Sequence, residues 1–131
     1  VEQIAEKMGP TIEQISSHLS GLSPISKTSF SCFGDDSFRE KLGSLNRKQA
    51  IVVGIEAHVC VYQTVADLVE AGFEVQVVAD AISSRTETNK QIAINRMQSL
   101  GAEVTSTEML LFELLQNSDH PHFREISKHI R

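Results

Sequence analysis

The sequence predicts a doubly wound α/β domain built on a mainly parallel sheet. Its length of 131 residues fits one domain that has a core of its own. Segments typical of strands and of helices alternate from residue 50 to residue 115, and the connections between them are short. Strands joined through helices in this way run parallel, because each helix returns the chain to the same end of the sheet.

The first strand and helix of this pattern cover residues 50–72. The run AIVVG at residues 50–54 is continuously apolar and ends in glycine, which is typical of a parallel strand buried on both faces. From His58 onward, apolar residues recur at the three- and four-residue spacing of one helix face. The helix is expected to close at Ala71 and Gly72.

Further strands and helices follow in the same order. FEVQVVAD at residues 73–80 is rich in valine and predicts a strand, and AEVTS further on predicts a shorter one. Between them, residues 87–100 predict a helix with Ile92, Ala93 and Met97 on its buried side.

Three more helices are predicted from their start signals. Thr105 and Glu108 form a T-x-x-E capping box ahead of an apolar helical run. Near the start of the chain, Thr11 followed by Gln14 predicts a helix in TIEQISSHLS. A short helix is expected after Pro121, with its histidines in solvent.

The composition argues against two classes of binding partner. The formal net charge is −5 and no Lys/Arg-rich run is present, whereas nucleic acids and anionic membranes require a cationic surface. No apolar run is typical of a bilayer span or a signal peptide, so we expect a cytoplasmic protein. The histidines lack metal-ligand spacing and no glycine-rich phosphate loop occurs, so no metal or cofactor is predicted.

Cys60 is the first candidate for chemistry. It follows the strand end at Gly54 and falls in the first turn of the next helix, where open α/β sheets bind their ligands. Backbone N–H groups and the positive end of the helix dipole favour a thiolate there and can hold an oxyanion. A free cysteine is also commonly a small core residue, and the sequence alone leaves the two interpretations level.

Other candidates are weaker on sequence alone. Lys27 stands in the extended segment PISKTSFSCF, where a solvated lysine is the simpler interpretation and a cation beside a thiolate or a substrate carbonyl is the functional one. His58 lies two residues before Cys60, a spacing that does not aim its ring at the thiol. Cys32 is interpreted as a packing residue, and both cysteines are expected to be reduced. Asp80 is expected to cap a loop by binding backbone N–H groups.

Several stretches resemble the isochorismatase-like cysteine hydrolases, in the branch of the isochorismatase domain-containing proteins. The segment VVGIEAHVCVYQTVADLVEAGFEVQVVADAISSR carries a G-I-x-x-x-x-C-V element, and KTSFSCF and AINRMQSLGAEVTSTEMLLFELL extend the likeness along nearly the whole chain. The resemblance implies a three-layer α/β/α, Rossmann-like fold around a six-stranded, mainly parallel sheet. It also implies a homo-oligomer, since members commonly self-associate.

The resemblance implies an active site as well. In cysteine-bearing members an Asp–Lys–Cys triad hydrolyses amide-like C–N bonds, which would make Cys60 the nucleophile and Lys27 the triad lysine. The family's cis peptide bond corresponds to Ile55–Glu56, and the backbone N–H groups of Glu56 and Cys60 would form the oxyanion hole. Three further residues are expected to line the pocket: Phe33, Ala57 and His58.

The chain departs from the family pattern in one important respect. The triad aspartate of the family ends the first strand, and the chain has no matching segment; Asp35 and Asp36 lie in a polar loop and do not replace it. Residues 1–131 are therefore expected to form a single isochorismatase-like domain, truncated at the N-terminus, without its first strand. The residues around Cys60 also differ from those of many members, so a nicotinamidase is not predicted.

The sequence thus predicts a hydrolase in which Cys60 cleaves an amide-like C–N bond of a small molecule. Two alternatives stay open. An impaired family member could act as a binding or scaffold protein, or Cys60 could be a thiol redox sensor, although no second cysteine is near it in the sequence. Faster alkylation of Cys60 than of Cys32 would favour a functional site.

Overall fold

The computed structural model describes residues 1–130, which form two parallel sheets. One sheet pairs β1 (Glu2–Gln3) with β2 (Ser26–Lys27). The other has the strand order β3–β4–β5, with β3 at Gln49–Ile55, β4 at Glu74–Ser83 and β5 at Glu103–Thr105. The α-helices are α1 (Ala5–Met8), α2 (Glu13–Ser16), α3 (Asp36–Ser44), α4 (Tyr62–Glu70), α5 (Glu87–Ser99), α6 (Thr107–Leu115) and α7 (Phe123–His129).

Alternate residues of β4 face helices on opposite sides of the sheet. Val75 and Val77 are buried in the main core together with side chains of α4 and α5. Gln76 faces the other way, and its Nε2 lies 3.3 Å from Glu113 Oε1 of α6. Since successive side chains of a strand point to opposite faces, α4 and α5 form one layer and α6 the other. The predicted three-layer α/β/α fold with parallel strands is confirmed.

β3 is less buried than its sequence predicts. Ala50 and Val52 pack against the core, but Ile51, Val53 and Ile55 are 51%, 55% and 73% exposed. β3 lies at the edge of the three-stranded sheet, and only β4 pairs with it there. The expectation of a strand buried on both faces is therefore wrong for residues 1–130.

Two predicted helix starts are displaced. α6 is capped by Ser106, whose Oγ accepts a hydrogen bond from the Met109 N–H at 3.2 Å, because the neighbouring Thr105 is the last residue of β5. α2 has only four residues, and Thr11 does not cap it. Instead, the Thr11 N–H and hydroxyl donate to Glu2 Oε1 at 2.6 and 2.7 Å.

On α5 the predicted buried side is nearly right. Ala93 and Met97 are buried as expected, but Ile92 is 52% exposed and Ile94 takes its place in the core. Positions 92 and 94 lie on opposite sides of the helix. Because both carry isoleucine, the apolar spacing alone does not show which of the two faces the core.

Gly54 shapes the end of β3, just before the turn that carries Cys60. The pairing of β3 with β4 shifts in register between Val52 and Gly54, so that Gly54 is opposite Ile82. The φ angle of Gly54 is +121°, a value that residues with a side chain rarely adopt. The glycine is thus required by the backbone at this position.

Gly54→Ala is expected to lower the free energy of unfolding by about 1–3 kcal/mol, because alanine is strained at that φ. Crowding does not contribute, since no neighbouring atom lies within 4 Å of the added Cβ. The matched control is Gly43→Ala in α3, which also meets no atom within 4 Å and has no positive φ. That change is expected to stabilise the fold by about 0.5–1 kcal/mol. Urea unfolding of both variants measures the difference, and equal effects would contradict the explanation.

Candidate active site

The Lys27 ammonium is buried and held by oxygen atoms. Lys27 is 4% exposed, and its Nζ donates to Gln3 Oε1 at 2.5 Å and to the carbonyls of Ser29 and Phe30, both at 2.7 Å. The ion pairs within residues 1–130 do not include Lys27. The simpler interpretation of a solvated lysine is therefore wrong: in this part of the chain, neutral oxygens hold a buried cation.

Gln3 connects Lys27 to Cys60. The oxygen that accepts from Lys27 also lies 3.9 Å from Cys60 Sγ, at the distance of a weak S–H···O hydrogen bond. The amide is oriented by its Nε2, which donates to the Thr28 carbonyl at 2.9 Å. Nothing in the sequence singled out Gln3. The signal that could have found it is the parallel pairing of β1 with β2, which sets Gln3 opposite Lys27.

Cys60 lies in a π-helical turn, Ala57–Val61, which joins β3 to α4. The Glu56 carbonyl accepts hydrogen bonds from the N–H groups of Val59 and Val61 at 3.1 and 3.2 Å. The turn follows the carboxyl end of β3, and Cys60 is half-buried there. Single π-helical turns of this kind occur frequently at functional sites.

A cavity of about 430 Å³ opens beside Lys27 and Cys60. Its wall is polar where Gln3 meets these two residues and apolar where β3 and α3 contribute side chains such as Val52 and Leu42. A mostly apolar cavity with a few convergent polar groups is the usual form of a small-molecule site. Substrate-sized space and the candidate nucleophile are thus in the same place.

As far as residues 1–130 form its wall, this cavity is not lined by the three residues expected to line the pocket. Ala57 is wholly buried in the core. Phe33 packs edge-on against Phe73, with ring centroids 6.5 Å apart. His58 Nδ1 lies 3.0 Å from the hydroxyl of Ser84, the residue that follows β4. A contact of these residues with a substrate stays a prediction.

Glu56 is fixed by Arg85. Arg85 Nε and Nη2 donate to Glu56 Oε1 and Oε2 at 3.1 and 2.6 Å, a bidentate pair. These hydrogen bonds hold the Glu56 pKa below its ordinary value and raise the pKa of Arg85. The Ile55–Glu56 peptide bond is cis. The Glu56–Arg85 ion pair therefore links the residue before the Cys60 turn to the loop that follows β4.

Arg85→Gln is expected to destabilise the protein more at about pH 6 than at about pH 3. The pKa of Glu56 is lower in the folded protein than its ordinary value of 4.5, which applies to the unfolded chain. Ionised Glu56 therefore stabilises the fold at pH values above 4.5, and this stabilisation is lost as the pH falls through the pKa of the folded protein. Urea unfolding at both pH values measures the difference. Arg124→Gln is the matched control, since Arg124 is outside the ion pairs of residues 1–130. A loss of stability that grows as the pH falls would contradict this role.

Asp80 binds a backbone N–H, as predicted, but at a different place in the chain. Its Oδ1 accepts hydrogen bonds from the Thr107 N–H and hydroxyl at 2.8 and 3.0 Å, and the backbone bond is the main cause of the lowered Asp80 pKa. The binding of a backbone N–H is as expected, but its place is not: Asp80 lies inside β4 and not at its end, and it binds the start of α6, whereas the expected place was the loop after the strand. Within residues 1–130, no three His, Cys, Asp or Glu side chains are grouped closely enough to hold a metal ion.

Fold and site together define a doubly wound α/β protein with a buried lysine and a cysteine beside a ligand-sized cavity at the carboxyl end of a parallel strand. The chain belongs to the isochorismatase family, since the isochorismatase domain matches residues 6–109. The resemblance recognised in the sequence is thereby confirmed. Isochorismatase domain-containing protein 2 of Danio rerio is 41% identical over 128 residues, which cover 97% of this chain and 64% of that protein.

Two other relatives add detail. The secreted isochorismatase effector Isc1 of Phytophthora sojae is 36% identical over 133 residues, covering 98% of this chain and 63% of the effector. The solved structure of MAR1 ribonuclease from Caenorhabditis elegans superimposes with a TM-score of 0.87 at 40% identity, over 97% of this chain and 65% of that one. The chain thus spans less than two thirds of these relatives.

The cellular compartment of the protein stays a prediction after these comparisons. Among residues 1–130, no helix combines the length and apolarity that crossing a membrane would take. One relative carries the word secreted in its name, whereas the sequence of this chain predicts a cytoplasmic protein.

Proposed function

We propose that the chain carries the cysteine site of a hydrolase that cleaves an amide-like C–N bond in a small molecule. The observation that carries this proposal is the single amide oxygen of Gln3, which lies 2.5 Å from Lys27 Nζ and 3.9 Å from Cys60 Sγ at the polar end of the cavity. Membership of the isochorismatase family supports the hydrolase class.

In the proposed reaction Cys60 gives up its thiol proton to solvent, and the Lys27 ammonium, which binds the same Gln3 oxygen as the thiol, supplies the positive charge for the thiolate. The sulfur attacks the carbonyl carbon and forms a C–S bond, while the backbone N–H groups of Glu56 and Cys60 stabilise the oxyanion. Collapse of the tetrahedral intermediate breaks the C–N bond, and the amine leaves with a proton taken from solvent, which replaces the one that the thiol released. Water then hydrolyses the thioester and regenerates the thiol.

The cavity supports a particular class of substrate. Its volume of about 430 Å³ is at the small end for ligand sites, and its walls beyond the polar end are apolar. A small neutral amide with an aliphatic acyl group fits these walls. RNA is disfavoured by the net charge of −5, although a similar structure bears the name ribonuclease. A short RNA therefore belongs in the substrate panel, where its cleavage would count against the proposal.

Thiol alkylation tests the site before any substrate is known. Iodoacetamide is expected to modify Cys60 at least about tenfold faster than Cys32 in the native protein, because a stabilised thiolate is the reactive form. Lys27→Met should remove most of that advantage, whereas the exposed Lys7→Met should leave it intact. Peptide mapping over a time course gives both rates. Equal rates at the two cysteines would contradict the hydrolase site and favour a scaffold protein.

A homo-oligomer is part of the same proposal. The edge strand β3 exposes Ile51, Val53 and Ile55, and an exposed apolar edge is prone to pair with another chain. Light scattering after size exclusion should give a mass above that of one chain. A strictly monomeric protein at micromolar concentration would contradict this part.

A further inference from the structure

We propose that Cys32 is the resolving cysteine of Cys60, so that a hydroperoxide converts the pair into a reversible intramolecular disulfide. The sequence holds two cysteines, 28 positions apart, and gives no sign that they meet. In the structure both are free thiols, both are half-buried, and both line the cavity of about 430 Å³. A small oxidant that enters this cavity therefore meets both sulfur-bearing residues.

One hydroxyl group joins the backbones of the two cysteines. The Cys32 N–H donates to Thr64 Oγ1 at 2.9 Å, and the Thr64 hydroxyl donates to the Cys60 carbonyl at 2.7 Å. Thr64 is buried, so these hydrogen bonds are shielded from competing water. The main chains of Cys32 and Cys60 are thus linked through one side-chain hydroxyl by two hydrogen bonds, which holds the two cysteines on neighbouring parts of the cavity wall.

A second contact fixes the direction of the segment that carries Cys32. Ser31 Oγ donates to Asp67 Oδ2 at 2.5 Å, one helical turn beyond the Thr64 contact. Cys60, Thr64 and Asp67 follow each other at four- and three-residue spacing, so they share one face of the helix. Residues 31–32 therefore lie along the helix face that presents Cys60 to the cavity.

The chemistry balances with a hydroperoxide as oxidant. The Cys60 thiolate attacks the O–O bond, forming a sulfenic acid and releasing an alcohol, or water from hydrogen peroxide. The Cys32 sulfur then attacks the Cys60 sulfur, the S–S bond forms, the S–O bond breaks, and the oxygen leaves as water. A reducing thiol restores both cysteines by exchange. The disulfide would block Cys60 as a nucleophile and protect it from irreversible oxidation.

The test uses the whole chain and hydrogen peroxide as the probe. The wild type is expected to lose about 2 Da in intact mass, to yield a Cys32–Cys60 linked peptide under non-reducing conditions, and to recover with dithiothreitol. Cys32→Ser should instead retain a sulfenic acid at Cys60 that dimedone traps. Cys60→Ser should leave Cys32 unoxidised at the same dose. The proposal would be overturned if the wild type accumulated as much dimedone adduct as Cys32→Ser. It would also be overturned if the disulfides of the wild type formed only between two chains.

Variants of Thr64 test the geometry separately from the thiols. Thr64→Val removes the hydroxyl and is expected to slow disulfide formation at least about fivefold, with little change in the rate of the first oxidation. Thr64→Ser keeps the hydroxyl and should keep the rate. Equal disulfide rates in the two variants would show that the link does not position the cysteines. These readouts are masses and do not require hydrolase activity, so failure of the hydrolase proposal would not hide the result.

Discussion

Cys60→Ser is expected to lower the rate of cleavage of a small amide substrate at least about 1,000-fold, the scale typical for loss of a nucleophile. Serine has nearly the same shape, but its hydroxyl is not ionised near neutral pH and has no base positioned to activate it within the described site. Release of the amine, followed over time, measures the rate.

The control for this change is Cys32→Ser, which makes the same substitution on the neighbouring wall of the cavity and is expected to retain most of the activity. Urea unfolding of both variants should give free energies within about 1 kcal/mol of the wild type, since each change is nearly isosteric. Undiminished cleavage by Cys60→Ser would show that another group performs the attack.

Lys27→Met is expected to lower the free energy of unfolding by about 2–4 kcal/mol and to slow alkylation of Cys60. Methionine fills much of the same space, but it leaves Gln3 Oε1 and the carbonyls of Ser29 and Phe30 without the donor that now binds all three. Oxygens left unsatisfied in a part-buried place cost free energy, and Cys60 loses the positive charge that Gln3 links to it. Urea unfolding and the iodoacetamide rate measure the two effects.

Lys7→Met serves as the control, because Lys7 lies at the surface in α1 and takes part in no ion pair of residues 1–130. It should change stability by less than about 0.5 kcal/mol. Wild-type stability in Lys27→Met would mean that water or a rearranged side chain satisfies the three oxygens, and the buried-cation account of Lys27 would be wrong.

The order of strands and helices between residues 50 and 115 could be predicted because it depends on neighbours along the chain. The apolar spacing after His58 gave α4, and Ala93 and Met97 were correctly placed in the core. The exposure of β3 could not be predicted, because it depends on which strand lies beside Val53 and not on Val53 itself. The shift of a cap from Thr105 to Ser106 has a similar cause, since two adjacent hydroxyl residues compete and the end of β5 decides.

In the candidate site, too, local patterns could be predicted from the sequence and contacts between distant segments could not. Cys60 could be singled out because its place after an apolar strand and before a helix is a local pattern. The burial of Lys27 and the approach of Gln3 could not, because they require β1 to pair with β2 across 24 positions of the chain. The link between Cys32 and Cys60 could not be predicted for the same reason, because it passes through Thr64, which is 32 positions from Cys32.

The most direct test of Cys60 as nucleophile is to trap the acyl group that it would carry. The protein is mixed with an activated anilide of a short aliphatic acid, quenched in acid and mapped by mass spectrometry. We expect one acyl group per chain on the peptide containing Cys60, removable by hydroxylamine, present in Cys32→Ser and absent in Cys60→Ser. An acyl group on another residue, or anilide cleavage that survives in Cys60→Ser, would contradict the assignment.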